Sequence, residues 1–360
     1  MNTKIIKISD NDVLSDADDV KLKAAGEILK KGGLVAFPTE TVYGLGGDAL
    51  NPESSHKIYA AKGRPSDNPL IVHISRFEDI YQIVSEVTEE AKRIAEVFWP
   101  GPLTMILPKA DRVPMETTGG LNTVAVRMPS HPAARKLIAY GGGYVAAPSA
   151  NTSGKPSPTV AKYVIEDMDG KIDAIIDGGE VGIGLESTII DLTVSPPIVL
   201  RPGYVTQDKL AEVLGQVDTD TTILRADSGQ APKAPGMKYR HYAPNGELTI
   251  VQGTCEAVAA YVNEQSGKDM AAGEKVGVIA TEEMLEQYRA DVVKCVGSRS
   301  DEDSIARNLY TLLREFDDEG VTRIYSESFE TDGLGQAIMN RLLKAAGHKV
   351  IDIEKLTQEV

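Results

Sequence analysis

The tightest constraint on this chain is a break in its pattern at residues 216–246. Asp218-Thr219-Asp220-Thr221 and Asp227-Ser228-Gly229-Gln230-Ala231-Pro232 are loop-like, and the segment runs on through Pro235-Gly236 to Pro244-Asn245-Gly246. A single hydrophobic core stops growing at roughly 250–300 residues, so a chain of 360 residues interrupted here is expected to build two cores. The boundaries read from this break are a first domain over 1–215, a linker over 216–246 and a second domain over 247–360. The linker also carries Lys238, Tyr239, Arg240, His241 and Tyr242, side chains that a plain spacer has no need of.

Before the break, Leu22–Lys31 reads as an amphipathic helix closed by Gly32-Gly33, followed by the buried strand Leu34–Phe37. Further strands are expected at Leu70–Ile74, Leu103–Leu107, Val124–Met128, Tyr144–Ala147, Ala174–Ile176, Thr188–Leu192 and Ile198–Leu200, with helices at Glu89–Phe98 and Pro132–Tyr140. The irregular rhythm predicts an α/β domain and not an alternating barrel. After the break, Leu248–Val251, Val276–Ala280, Val292–Val296 and Arg323–Ser326 read as short buried strands. Helices at Ala257–Asn263, Ser304–Phe316 and Gln336–Ala346 fall between or after them. That rhythm predicts a small open parallel sheet.

Charge and cysteine usage narrow the class. The net charge is -15; residues from 246 onward hold 22 acidic and 12 basic side chains, a balance of -10, which leaves -5 for the rest. Neither part has the basic field of a sequence-independent nucleic-acid binder, although a local basic groove is compatible with these totals. No apolar run reaches the ~20 residues that span a bilayer, and the N-terminal residues lack a signal-peptide pattern. The two cysteines, Cys255 and Cys295, form no framework, and no Cys/His cluster has zinc-ligand spacing. A soluble cytoplasmic protein is the expectation.

The familiar catalytic signatures fail. There is no P-loop, because Gly154-Lys155 is followed by Pro156, and neither a zincin motif nor a nucleophile elbow occurs. Gly44-Leu45-Gly46-Gly47-Asp48-Ala49 matches the dinucleotide fingerprint loosely and reads better as turn glycines. What remains is a set of polar clusters beside strands. Pro38–Gly44 offers hydroxyls after the first strand. Lys62-Gly63-Arg64-Pro65-Ser66-Asp67-Asn68-Pro69 pairs a point charge with a planar fork, a combination suited to phosphate or carboxylate and equally to a solvated turn. Arg127 ends an apolar strand. Pro148–Lys155 could cradle phosphate oxygens or form a capped turn. Leu185–Thr188 and Leu200–Gly203 repeat the theme.

Taken in order, these segments resemble the threonylcarbamoyl-AMP synthase family, whose catalytic module is the YrdC-like domain. The matching stretches are PTETVYGLG from Pro38, KGRPSDNPLIVHI from Lys62, FWPGPLT from Phe98, VAVRMP from Val124, APSANTSGKPSPT from Ala147, ESTIIDL from Glu186 and LRPG from Leu200. APGMKYRHYAP from Ala234 and GLGQAIMNRL from Gly333 are similar to the linker and C-terminal domain of the long form. The resemblance implies a twisted mixed-sheet catalytic domain followed by a smaller Rossmann-like parallel-sheet domain.

It also implies an activity: condensation of L-threonine, bicarbonate and ATP to threonylcarbamoyl-AMP, with release of pyrophosphate and with Mg2+ arriving on ATP. A separate downstream transferase would pass the group to adenosine 37 of tRNAs reading ANN codons, so tRNA is met only indirectly. By the same resemblance Thr41, His73, Arg127 and Ser187 would hold threonine. Arg64, Asn68, Ser149, Asn151, Ser157 and Arg201 would handle ATP, with Lys62 and Arg64 as the catalytic cations, and Tyr239 and His241 would fold the linker over the nucleotide. His73 sits inside an apolar strand, where a packed histidine is the plain alternative. Competing readings are an RNA-binding module, a regulatory ligand sensor in the second domain, and carbamoyl transfer in hydrogenase maturation; the last normally brings zinc-finger-like Cys pairs that are not visible here.

Overall fold

A strand made mostly of glycine lies inside the first sheet. The structure, a computed structural model, describes residues 2–9, 13–220 and 241–358. These fall into two compact units: one holds 157–220 and what is described before 154, the other holds 154–156 and 241–358.

In the first unit the strands are β1 (Lys4–Lys7), β2 (Val35–Phe37), β3 (Gly44–Asp48), β4 (Ile71–Ile74), β5 (Leu103–Pro108), β6 (Thr123–Arg127), β7 (Tyr144–Ala146), β8 (Ala174–Asp177), β9 (Thr188–Asp191), β10 (Ile198–Arg201) and β11 (Asp218–Thr219). They form one mixed sheet in the order β1-β8-β2-β3-β7-β4-β6-β5-β9-β10-β11. The centre matters for function. β4 runs parallel to β6 with His73 opposite Arg127, and β5 runs antiparallel to β6 with Thr104 opposite Arg127. Neighbouring residues on paired strands share a face, so these three side chains are brought side by side.

Local chemistry sets the helices. Asp16–Lys30 starts at a reciprocal cap: Ser15 Oγ accepts from the Asp18 amide at 3.2 Å, and Asp18 Oδ2 accepts from the Ser15 amide at 3.2 Å. Its inner face (Leu22, Ala25, Leu29) meets Ala133, Ala134, Leu137 and Ile138 of the helix Pro132–Tyr140 and Phe37 of β2 in one core cluster. Helix Pro52–Lys62 ends at Gly63, whose left-handed backbone (φ 60°) turns the chain toward Arg64.

Two expectations need correction. Gly44–Asp48 is not a set of turn glycines; it is β3, antiparallel to both β2 and β7. The glycines answer a packing demand, since a Cβ on Gly46 would come within 2.9 Å of the Phe37 ring and 2.9 Å of Val145 Cγ1. This placement also removes the dinucleotide-fingerprint reading, which needs a strand–turn–helix. Asp218-Thr219, read as loop, pairs with β10 as the short strand β11.

The second unit carries β12 (Glu247–Gln252), β13 (Val276–Thr281), β14 (Val292–Gly297), β15 (Arg323–Glu327) and β16 (Val350–Asp352), all parallel, in the order β14-β13-β15-β12-β16. Helices Cys255–Ala271, Glu302–Asp318 and Gly335–Ala345 follow β12, β14 and β15. Only the short 3-10 turn Leu285–Gln287 joins β13 to β14, where the βαβα rhythm would put a helix. Among the described residues no helix is long and apolar enough to cross a membrane.

Replacing Gly46 by Ala should cost about 1–3 kcal/mol of stability, since two packed side chains and the Val35 carbonyl would have to yield. Urea unfolding of the variant, compared with Gly120→Ala as a positive-φ glycine in open space, checks this.

Candidate active site

The loop Pro38–Tyr43, between β2 and β3, is the hub of the first unit. Thr39 Oγ1 donates to the Val42 carbonyl at 2.7 Å and accepts from the Thr41 and Val42 amides, so the turn holds itself. The backbone then ties it to three other segments. The Glu40 and Thr41 carbonyls accept from the Ile183 and Gly184 amides, the Tyr43 amide donates to the Pro158 carbonyl, and the Tyr43 carbonyl accepts from the Ala150 amide.

Against this loop stands Arg127, at the end of β6. Its Nη2 donates to Glu40 Oε1 at 2.7 Å, both side chains being largely buried. An ion pair removed from water in this way is expensive to break on one side, because the partner charge is stranded. Glu40 Oε2 is buried without a hydrogen-bond partner among the described residues. His73, beside Arg127 in register, is buried, and its Nδ1 faces the Ile71 carbonyl at 3.1 Å. Burial first, and then the Arg127 charge, lower its pKa from 6.5 to about 3. The ring is therefore neutral at physiological pH.

A second group lies across β5. Ser187 Oγ and Thr104 Oγ1 are 2.8 Å apart, and Arg201 donates from Nη2 to Ser187 Oγ and from Nε to the Ser187 carbonyl, each at 3.0 Å. The residue before Ser187, Glu186, accepts from Ser157 Oγ at 2.6 Å.

A third group surrounds Lys62. Its buried ammonium donates to the carbonyls of Ser149 at 2.5 Å and Asn151 at 2.6 Å, and more weakly to Asn151 Oδ1. Ser149 Oγ donates to the same Oδ1. Lys62 thus pins the Ser149–Asn151 turn from within. Arg64 donates to the Asn68 and Pro69 carbonyls at 3.1 and 2.9 Å, and buried Asn68 Oδ1 has no partner among the described residues.

The predicted residues thus fall into groups on one unit: Arg127 with His73, Ser187 with Arg201, and Lys62 with Ser149 and Asn151, while Thr41 lies in the loop that carries Arg127's partner Glu40, its Oγ1 2.9 Å from Thr39 Oγ1. His241 lies in the second unit, its ring tilted on Tyr242 at a centroid distance of 5.6 Å, and Tyr239 lies outside the described residues. Glu40, Thr104 and Glu186 were not singled out from sequence. Each lies inside a motif segment, but its part depends on a partner more than 25 positions away. Among the described residues no group of three or more His, Cys, Asp and Glu could hold a metal ion.

Fold and site define an α/β enzyme of the Sua5/YrdC type with a second parallel-sheet unit. A family model described as "Telomere recombination" (Sua5_yciO_yrdC) matches residues 27–203, and one described as "Threonylcarbamoyl-AMP synthase, C-terminal domain" matches 205–347. The threonylcarbamoyl-AMP synthase of Pyrococcus abyssi is 49% identical over 336 residues, covering 93% of this chain and 97% of that protein. That of Bacillus subtilis is 47% identical over 353 residues, covering 98% and 100%. A crystal structure of P. abyssi Sua5 complexed with L-threonine superposes with a TM-score of 0.91 at 47% identity, covering 97% of this chain and 99% of that one. The chain belongs to the threonylcarbamoyl-AMP synthase family, in its long two-domain form.

The state of His73 has a consequence for stability. Unfolded, the imidazole takes a proton below about pH 6.5; folded, it resists until about pH 3. The unfolded chain binds more protons across that window, so stability falls as pH falls. His73→Gln should flatten the slope by on the order of 1 kcal/mol per pH unit below pH 6.5. Urea unfolding between pH 7 and 4 measures it; equal slopes in the two proteins would contradict a buried neutral His73.

Proposed function

We propose that this protein condenses L-threonine, bicarbonate and ATP into L-threonylcarbamoyl-AMP and releases pyrophosphate. The product would feed a separate transferase acting on adenosine 37 of tRNAs reading ANN codons. The observation that carries the reading is the threonine-bound structure of a relative that matches this chain over nearly its whole length.

The geometry supports a division of labour. Arg127, oriented by Glu40, receives the threonine carboxylate, while Thr41 and Ser187 offer hydroxyls and neutral His73 offers a ring nitrogen. The unpaired Glu40 Oε2 is an acceptor for a substrate N–H or O–H group. The deprotonated threonine amine adds to the carbon of bicarbonate, or of the CO2 it yields, with loss of water, to form a carbamate, whose oxygen attacks the α-phosphorus of ATP as pyrophosphate leaves. No enzyme nucleophile is needed. Catalysis then rests on positioning and on charge stabilisation. Arg64 and Arg201 face phosphate charge, and Asn68, Ser149, Asn151 and Ser157 donate or accept around the nucleotide. Lys62 holds the Ser149–Asn151 turn in place and adds positive charge behind it. Mg2+ enters as part of the MgATP substrate.

The test is an incubation with ATP, bicarbonate and labelled threonine. Threonylcarbamoyl-AMP and pyrophosphate should form together, and omission of threonine or bicarbonate should abolish both. Arg64→Ala and Lys62→Ala should each lower turnover on the order of a hundredfold. Pyrophosphate release that ignores threonine would overturn the reading. Glu40→Gln keeps the side-chain shape but leaves the Arg127 charge without its counter-charge, so it should lower stability and raise KM for threonine more than it lowers kcat; an unchanged KM in the folded variant would remove Arg127 and Glu40 from the threonine site.

A further inference from the structure

Thr104 and Ser187 are both fully buried, and their hydroxyl oxygens lie 2.8 Å apart. The protons of this pair do not balance its acceptors. Arg201 Nη2 can only donate, so it occupies one lone pair of Ser187 Oγ, at 3.0 Å. Either Thr104 then donates to the other lone pair of Ser187, or Ser187 donates to Thr104. The first arrangement leaves the Ser187 proton over and the second leaves the Thr104 proton over. Neither hydroxyl has a further acceptor among the described residues. Arg127, the cross-strand neighbour of Thr104, cannot take the proton, because a guanidinium has no acceptor; its own donors go to the Gly101 carbonyl and to Glu40.

The surplus sets Thr104 apart from other buried threonines of the first unit. Thr3, Thr39, Thr117 and Thr188 each give their proton to a backbone carbonyl, at 2.7–2.8 Å. Thr104 meets only a second hydroxyl that is already engaged. A buried O–H without an acceptor costs free energy, which an oxygen atom of a ligand relieves.

We propose that Thr104 is a positioning residue for the amino-acid substrate, donating to Ser187 Oγ so that the Ser187 proton is left for an oxygen of bound threonine. This deepens the threonine site proposed above, to which Ser187 belongs. A serine hydroxyl alone turns freely between staggered positions. With Arg201 on one lone pair and Thr104 on the other, its proton has one direction left. Ser187 therefore faces the substrate as a donor only. It selects a carboxylate or hydroxyl oxygen and turns away the amine, the group that must stay free to form the carbamate.

Calorimetric titration of the full chain with L-threonine reads this role without catalysis. Thr104→Val keeps the shape and removes the hydroxyl, so it should weaken threonine binding roughly tenfold, as expected for one net hydrogen bond. KM for ATP should not change, because Arg201 keeps both contacts to Ser187. Thr104→Ser restores the hydroxyl and should bring binding back to within about threefold of the wild type. In a Ser187→Ala background Thr104→Val should add no further loss, since Thr104 acts through Ser187. L-Valine, the same shape without the hydroxyl, separates the two oxygens: an equal loss for valine and threonine on Thr104→Val identifies the carboxylate as acceptor, and a loss for threonine alone identifies its side-chain hydroxyl. Threonine binding that survives Thr104→Val, or an equal loss in the Ser187→Ala background, would overturn the role of Thr104. A wild-type chain that does not bind threonine would overturn the threonine site itself and this role with it.

Discussion

A buried ion pair, Arg127 with Glu40, is the interaction on which the first unit's site depends. It joins the end of a central strand to a loop between β2 and β3, across 87 positions of sequence. Neither charge is tolerable alone at that depth, so the pair forces the loop and the strand end into one geometry. The loop, so fixed, presents its backbone to three further segments. Burial first, and then the charge of Arg127, keep His73 neutral. Rigid elements carry the pair, and the polar groups follow it.

Much of this was legible in the sequence because burial writes itself as apolar runs. The helices Glu89–Phe98 and Pro132–Tyr140 stand where periodicity put them, and most predicted strands fall within a residue or two of the observed ones. The failures have physical reasons. Gly44–Asp48 looks like a turn because glycine favours turns, but here tertiary crowding by Phe37 and Val145 selects glycine within a strand. Lys4–Lys7 escaped notice because an edge strand that pairs on one side carries charged residues in place of an apolar run.

The site was legible as motifs but not as mechanics. The sequence marked Lys62 as a cation near a glycine. It could not reveal that the ammonium spends its donors on backbone carbonyls of Ser149 and Asn151, since a carbonyl acceptor leaves no signature in residue type. Glu40 was hidden for the complementary reason: its meaning lies in Arg127, and nothing local points there. The second unit's Arg299–Glu327 pair is similar, joining residues 28 positions apart through the register of a parallel sheet.

The contacts that build the first unit's site share one property, the length of chain between their partners. Lys62 meets Asn151 across 89 positions, Arg127 meets Glu40 across 87, and Thr104 meets Ser187 across 83. Contacts so distant form only after the loops between them have closed, and folds dominated by them form slowly. During synthesis, the segment from β1 to β6 emerges before Ser149, Asn151 and Ser187 exist. The Glu40, His73, Thr104 and Arg127 group has all its members by then, whereas the contacts of Lys62 and Thr104 with Ser149, Asn151 and Ser187 can close only after β7 and β9 have joined the sheet.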